Sequence, residues 1–132
     1  MVENKIFAVA DVGGTKILLL LVDQDRNVYL RRKLPTPPGA APELVAKTIN
    51  EALSRALQDK EMERSGLAGL GVCIAALLDF EEGVIYEAPN LDWHEPIPFR
   101  KLLQEYCSCP VYLENDANAA VLGEVTYGAA QG

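Results

Sequence analysis

The sequence predicts an α/β fold: a mixed sheet of three antiparallel strands plus parallel strands, with flanking helices. Three observations predict it. Up to Leu34 the chain holds three apolar runs separated only by short turns, which reads as an antiparallel meander. Val45, Ile49, Ala52, Leu53, Ala56 and Leu57 then recur at helical spacing, with Lys47, Asn50, Glu51 and Arg55 between them. From Leu67 onward, strand-like runs alternate with a short amphipathic helix, the order expected where helix-connected strands lie parallel.

Taken in order, Lys5 to Ala10 is an apolar run of strand length that ends at Asp11. Val12-Gly13-Gly14-Thr15-Lys16 follows, and Ile17 to Asp23 reads as a second strand buried on both faces. Asp25-Arg26-Asn27 supplies turn residues, and Val28 to Leu34 is a third strand. Its basic trio, Arg31-Arg32-Lys33, lacks the aromatic interleaving of a nucleic-acid surface and reads as a solvated strand end. Pro35-Thr36-Pro37-Pro38-Gly39 forbids regular structure and makes a loop. Pro42 suits the first turn of a helix, where its missing N–H costs nothing, and Gly66 closes the helical region. Leu67 to Ile74 is a buried strand. Ala75 to Asp79 leads to a turn at Glu81-Glu82-Gly83 and a short extended piece, Val84 to Tyr86. Ala88 to His94 is a loop whose histidine, the only one in the chain, reads as exposed rather than catalytic. Phe99, Leu102, Leu103 and Tyr106 mark a short helix, Cys109-Pro110 stops it, and Val111-Tyr112-Leu113 begins the last strand. An alanine-rich run from Ala117 then favours helix.

Bulk composition narrows the function classes. The 132 residues suffice for one domain with one core, and a hydrophobic content of 49% fits a packed protein. A net charge of −7 argues against nucleic acid, whose phosphates need a positive field. Glu3 and Asp11 break any secretory signal, and the run Ile17 to Val22 is far too short to cross a bilayer, so no membrane partner is expected. Three cysteines make no disulfide framework and point to a reducing, cytoplasmic setting. Cys107-Ser108-Cys109 offers two thiols with no His or second Cys pair nearby, too few ligands for zinc.

Two stretches carry chemistry. The Gly-Gly-Thr-Lys string is neither a Walker A loop nor a dinucleotide fingerprint, because its glycines are adjacent and a strand follows instead of a helix. An ordinary hairpin turn explains the glycines. Equally, exposed glycine N–H groups with the Thr15 hydroxyl and Lys16 ammonium suit a polyphosphate, and the Asp11 carboxylate suits a hydrated Mg²⁺. At the other end, Asn115-Asp116 lies between a strand and a helix start, where open α/β sheets place ligands. Both residues are also good helix caps. In the catalytic reading, Asp116 accepts a proton from a substrate hydroxyl.

Asp11-Val12-Gly13-Gly14-Thr15-Lys16, together with Leu113-Glu114-Asn115-Asp116-Ala117-Asn118-Ala119-Ala120, closely resembles the ROK family of repressors and sugar kinases. Ala88-Pro89-Asn90-Leu91-Asp92-Trp93 resembles that family's A-P-N-L-x-W segment, and Gly123-Glu124 and Gly128-Ala129-Ala130 continue its pattern. The resemblance implies an actin-like ATPase (RNase H-like) domain and ATP-dependent phosphorylation of a hexose hydroxyl, as in glucokinases. Carried over by position, Asp116 is the general base, and Asn115 and Asn90 bind the sugar. Gly13, Gly14, Thr15 and Lys16 attend the ATP phosphates, and Asp11 holds Mg²⁺ through water. Two departures stand out. Family kinases place a glycine-rich loop against the sugar, whereas here Ala75-Ala76 falls in the aligned run, so Ala76 stands in the sugar subsite. Family members also continue into a second lobe with the adenosine-binding motif and a zinc site. Residues 1–132 are therefore expected to be an N-terminal lobe, without structural zinc, inactive alone and prone to self-associate, for instance as a homodimer. A sugar-sensing transcriptional regulator fragment and a non-catalytic pseudokinase domain are the alternatives.

Overall fold

The computed structural model describes residues 5–115. Three antiparallel strands open the chain: β1 (Ile6–Val12), β2 (Lys16–Asp23) and β3 (Val28–Pro35). Helix α1 (Pro42–Asp59) follows, with proline at its first turn as expected. Then come β4 (Leu67–Ile74), a short hairpin of β5 (Leu77–Asp79) and β6 (Val84–Glu87), helix α2 (Phe99–Tyr106) and β7 (Val111–Glu114).

The main sheet has five strands in the order β3-β2-β1-β4-β7. The first three pair antiparallel, and β4 and β7 add on parallel to β1, so the predicted mixed sheet is present. On one face Ala8, Ala10, Ile17, Leu19, Leu21, Leu70, Val72, Val111 and Leu113 form a continuous core with Val45, Ile49 and Leu53 of α1 and Phe99 and Leu103 of α2. The 3.6-residue period of α1 is what lets it bury one apolar stripe on that face. On the other face Phe7, Val9, Val22 and Cys73 make a smaller buried cluster. Gly69 and Gly71 of β4 stand beside Phe7 and Val9 in register, so small residues alternate with large ones.

Three local readings are corrected. β2 is not buried on both faces: Leu18 and Leu20 are only half-buried, since their side of the sheet is the less filled one. Helix α1 stops at Asp59, well before Gly66. There Glu61 turns left-handed (φ 55°), and its N–H and that of Met62 bond back to the Gln58 and Leu57 carbonyls (3.0 and 2.8 Å). This is a Schellman stop made without glycine. Residues Arg64–Gly66 form a separate 3-10 turn. Leu77–Asp79, read as a lead into a turn, is a strand that pairs with β6 in a second, two-stranded sheet. The alanine-rich run from Ala117 lies outside the described residues.

The basic trio behaves as a strand end. Arg31 and Lys33 are exposed, and Arg32 pairs with Asp59 at the end of α1 (2.9 Å). No helix among the described residues is long and apolar enough to cross a membrane.

Candidate functional site

The parallel pairing of β1, β4 and β7 fixes where the motifs meet. Register places Asp11, Cys73 and Glu114 in one row across the sheet, and Val12 beside Ile74 in the next. The segments leaving the three strands, Gly13-Gly14, Ala75-Ala76 and Asn115, therefore emerge at the same sheet end. With strands about 4.8 Å apart, the outer two are about 10 Å from each other. This is the carboxyl end of the parallel strands, where α/β sheets take ligands.

At β1, Gly13 N–H donates to the Lys16 carbonyl (2.8 Å), which closes a tight turn between β1 and β2. Asp11 is half-buried beneath it, while Thr15 and Lys16 are exposed. A Cβ on Gly14 would stand 2.6 Å from the carbonyl oxygen of Asn90, a distance no side chain tolerates. Gly14 and Asn90, far apart in sequence, are thus in backbone contact. Asn90 lies in a 3-10 turn (Pro89–Leu91) that ends with Asp92 in the left-handed region (φ 58°). The turn is closed by Ala88 N–H to Trp93 O (2.9 Å) and Trp93 N–H to Ala88 O (3.1 Å).

Each sequence-derived candidate can now be placed. Asp11, Gly13, Gly14, Thr15, Lys16, Ala76, Asn90 and Asn115 gather at one end of the sheet, and Asp116 lies outside the described residues. Ala75 is exposed and Ala76 half-buried at the exit of β4. No three potential metal-ligating side chains cluster among the described residues. Mg²⁺ keeps several waters and takes few protein ligands, so the half-buried Asp11 carboxylate beside the turn is the kind of donor it uses.

Two residues to which the sequence reading gave no role of their own organise this end of the fold. Thr36 is 3% exposed; its Oγ1 donates to Gly13 O (2.8 Å) and its N–H to Thr15 O (2.9 Å). Trp93 is buried against Phe99 (ring centroids 5.3 Å apart), and its indole N–H donates to Ala40 O (3.0 Å). Thr36 escaped notice because prolines flank it and dominate the reading of that loop. Trp93 was legible only as part of a motif.

His94 is exposed, as expected, but it is not isolated. Its Nε2 meets Asp92 (2.7 Å) and its Nδ1 meets Glu87 (3.2 Å). Asp92 first, then Glu87, raise its pKa, since two carboxylates are best met by an imidazolium that donates from both nitrogens. Cys107 is buried, which pushes its thiol pKa up against the opposing pull of Arg64. It packs in the main hydrophobic core.

The chain is similar to known proteins. The chain is 34% identical over 122 residues to a glucokinase of Streptomyces coelicolor, covering 92% of this chain and 36% of that protein. It is 29% identical over 118 residues to a xylose repressor of Caldicellulosiruptor bescii, covering 89% of this chain and 29% of the repressor. Among solved structures, a ROK family glucokinase of Streptomyces griseus, crystallised with glucose and AMPPNP, superposes with a TM-score of 0.74 at 32% identity; the match covers 96% of this chain and 38% of that one. The chain thus spans about a third of the length of the curated relatives it matches. The ROK family model matches residues 7–132, and the fold is the actin-like ATPase fold of its sugar kinases: this chain belongs to the ROK family.

Proposed function

We propose that residues 1–132 are the N-terminal lobe of an ATP-dependent hexose kinase of the glucokinase type. The observation that carries this reading is the convergence of the glycine turn, the Asn90 turn and the Asn115 strand end on one sheet edge. Likeness to a glucokinase crystallised with glucose and an ATP analogue supports the ligand classes.

In this reading the hexose lies between Asn90 and Asn115, with the backbone at Ala76 as its floor. Asp116, next in sequence after Asn115, takes the proton of the attacking hydroxyl. The turn Gly13-Gly14-Thr15 offers backbone N–H groups and a hydroxyl to the phosphates, and Lys16 adds a point charge. Asp11 would hold Mg²⁺ through water, and the ion would supply charge neutralisation at the phosphates. Phosphoryl transfer of this kind depends on positioning and charge stabilisation and requires no covalent nucleophile. Closure against a second lobe would exclude water.

The test is phosphorylation of a hexose panel with ATP and Mg²⁺ by the full-length gene product, beside its Asp116→Asn variant. The variant is expected to lose about 10²–10⁴-fold in kcat, the span of a lost general base. A loss under about threefold removes Asp116 from that role. A second reading, a sugar-sensing regulator, is favoured by the likeness to a xylose repressor and by Ala75-Ala76 standing where family kinases are expected to carry a glycine-rich loop. Sugar binding without turnover in the full-length protein would select it.

A further inference from the structure

The segment between β3 and α1 touches both halves of the proposed site. At its start, Thr36 holds the two carbonyls on either side of Gly14, those of Gly13 and Thr15. At its end, Ala40 accepts the buried indole N–H of Trp93, the residue whose backbone closes the Asn90 turn. Between them, Ala40 N–H donates to Pro37 O (3.2 Å), and Pro37 and Pro38 have their φ angles locked by their rings. The path from Thr36 to Ala40 is therefore short, and its one glycine, Gly39, takes the left-handed position (φ 60°) of the turn that the Ala40–Pro37 bond closes. The loop closes through space, because Asn90 rests on Gly14.

Planarity gives this brace a direction. All peptide bonds among the described residues are trans, so a carbonyl and the N–H that follows it point to opposite sides. With Gly13 O drawn to the Thr36 hydroxyl, the Gly14 N–H must point away from Thr36. A polar side chain is buried here, although an ordinary two-strand turn needs no outside partner.

We propose that Thr36 is a positioning residue that orients the Gly13-Gly14 peptide for phosphate, and that the 36–40 segment couples this turn to the Asn90 turn, so that nucleotide and sugar affinities change together. The inference rests on the kinase reading for its ligands but not for its geometry. Two arms of one experiment separate them.

The first arm uses this chain and records backbone amide and indole NMR signals of the wild type, Thr36→Val and Thr36→Ser. Valine keeps the volume and removes the hydroxyl; serine keeps the hydroxyl. Thr36→Val is expected to move the amide signals of Gly14 and Asn90 and the Trp93 indole signal, and Thr36→Ser to leave them near the wild type. An unmoved Asn90 and Trp93 in Thr36→Val overturns the coupling, whether or not any kinase activity exists. The second arm measures KM for ATP and for the hexose in the full-length product. Thr36→Val, and Trp93→Phe at the other end of the brace, should each raise both KM values about three- to tenfold, the effect of a lost hydrogen bond. Thr36→Ser should restore both. A rise in the ATP KM alone, or a lower melting temperature with both KM values unchanged, overturns the proposal while leaving the kinase reading intact. An inactive wild type defeats the kinase reading and leaves the brace to the NMR arm.

Discussion

Asp23 shows how a single side chain can be fixed by its neighbours rather than by the motif it belongs to. It is wholly buried at the end of β2, where burial alone would raise its pKa. The Tyr29 hydroxyl (2.7 Å) and the Asn27 side chain (3.1 Å) donate to it, as do the N–H groups of Asn27 (2.9 Å) and Asp25 (2.8 Å). Together they outweigh the burial and lower the pKa from 3.8 to about 2. The unfolded chain therefore binds this proton more readily than the folded one. The resulting stability is present above about pH 3.8 and is lost as pH falls through about 2. Melting temperature should decline steeply between pH 4 and pH 2, and Asp23→Asn should start lower at neutral pH and decline less across that window. Parallel slopes in the two proteins would rule out Asp23 as a source of the acid sensitivity. The sequence marked the turn after β2 but not this network, because nothing in Asp25-Arg26-Asn27 announces that Tyr29 points back to Asp23. Gly14 is similar: its place in a turn was readable, whereas its reason for being glycine, the Asn90 carbonyl, is a tertiary fact.

Elements were legible where one period dominated. Helix α1 followed its apolar stripe, β4 its continuous apolar run, and β1 to β3 their short turns. Elements were missed where tertiary contact overrode local pattern. Leu77–Asp79 is a strand because β6 pairs with it and Ile97 bridges β6 from the other side, although the Ala-Ala-Leu-Leu run has no alternation. The end of α1 was missed because its left-handed residue is Glu61, not glycine. That choice has a measurable cost. A non-glycine residue in the left-handed region costs about 1–2 kcal/mol, offset in part by the larger chain entropy that glycine loses on folding. Glu61 is exposed, and none of its side-chain atoms takes part in the Schellman bonds, which are made by backbone N–H groups. Glu61→Gly should therefore stabilise the chain by up to about 1 kcal/mol, read as a higher denaturant midpoint at an unchanged slope. A lower midpoint would mean that the Glu61 side chain contributes to the fold.

At the scale of the molecule, stability and site are built from different parts of one sheet. The large core lies on the face under α1 and α2, while the candidate site sits at the sheet end where β1, β4 and β7 stop. Sequence could name the motifs at that end, since each is a short string. It could not say that they adjoin, because adjacency follows from strand order and from Gly14 resting on Asn90. This division predicts a double dissociation between two substitutions in the full-length protein. Leu53, fully buried on α1, leaves a cavity when cut to alanine and should cost about 2–5 kcal/mol of stability. The molecules that remain folded should still bind sugar as the wild type does. Gly14→Ala forces the Asn90 backbone away from a contact that would otherwise fall to 2.6 Å, and it displaces the Asn90 turn at the candidate site. A shift of about 1 Å in a positioning group can cost about 10²-fold in rate, so Gly14→Ala should lose more activity than Leu53→Ala while losing less stability. Denaturant unfolding, hexose phosphorylation rates and hexose titration of the same two samples measure stability, activity and affinity. If Leu53→Ala weakens sugar binding in its folded fraction as much as Gly14→Ala does, core and site are one cooperative unit, and the strand-end geometry alone does not set the affinity.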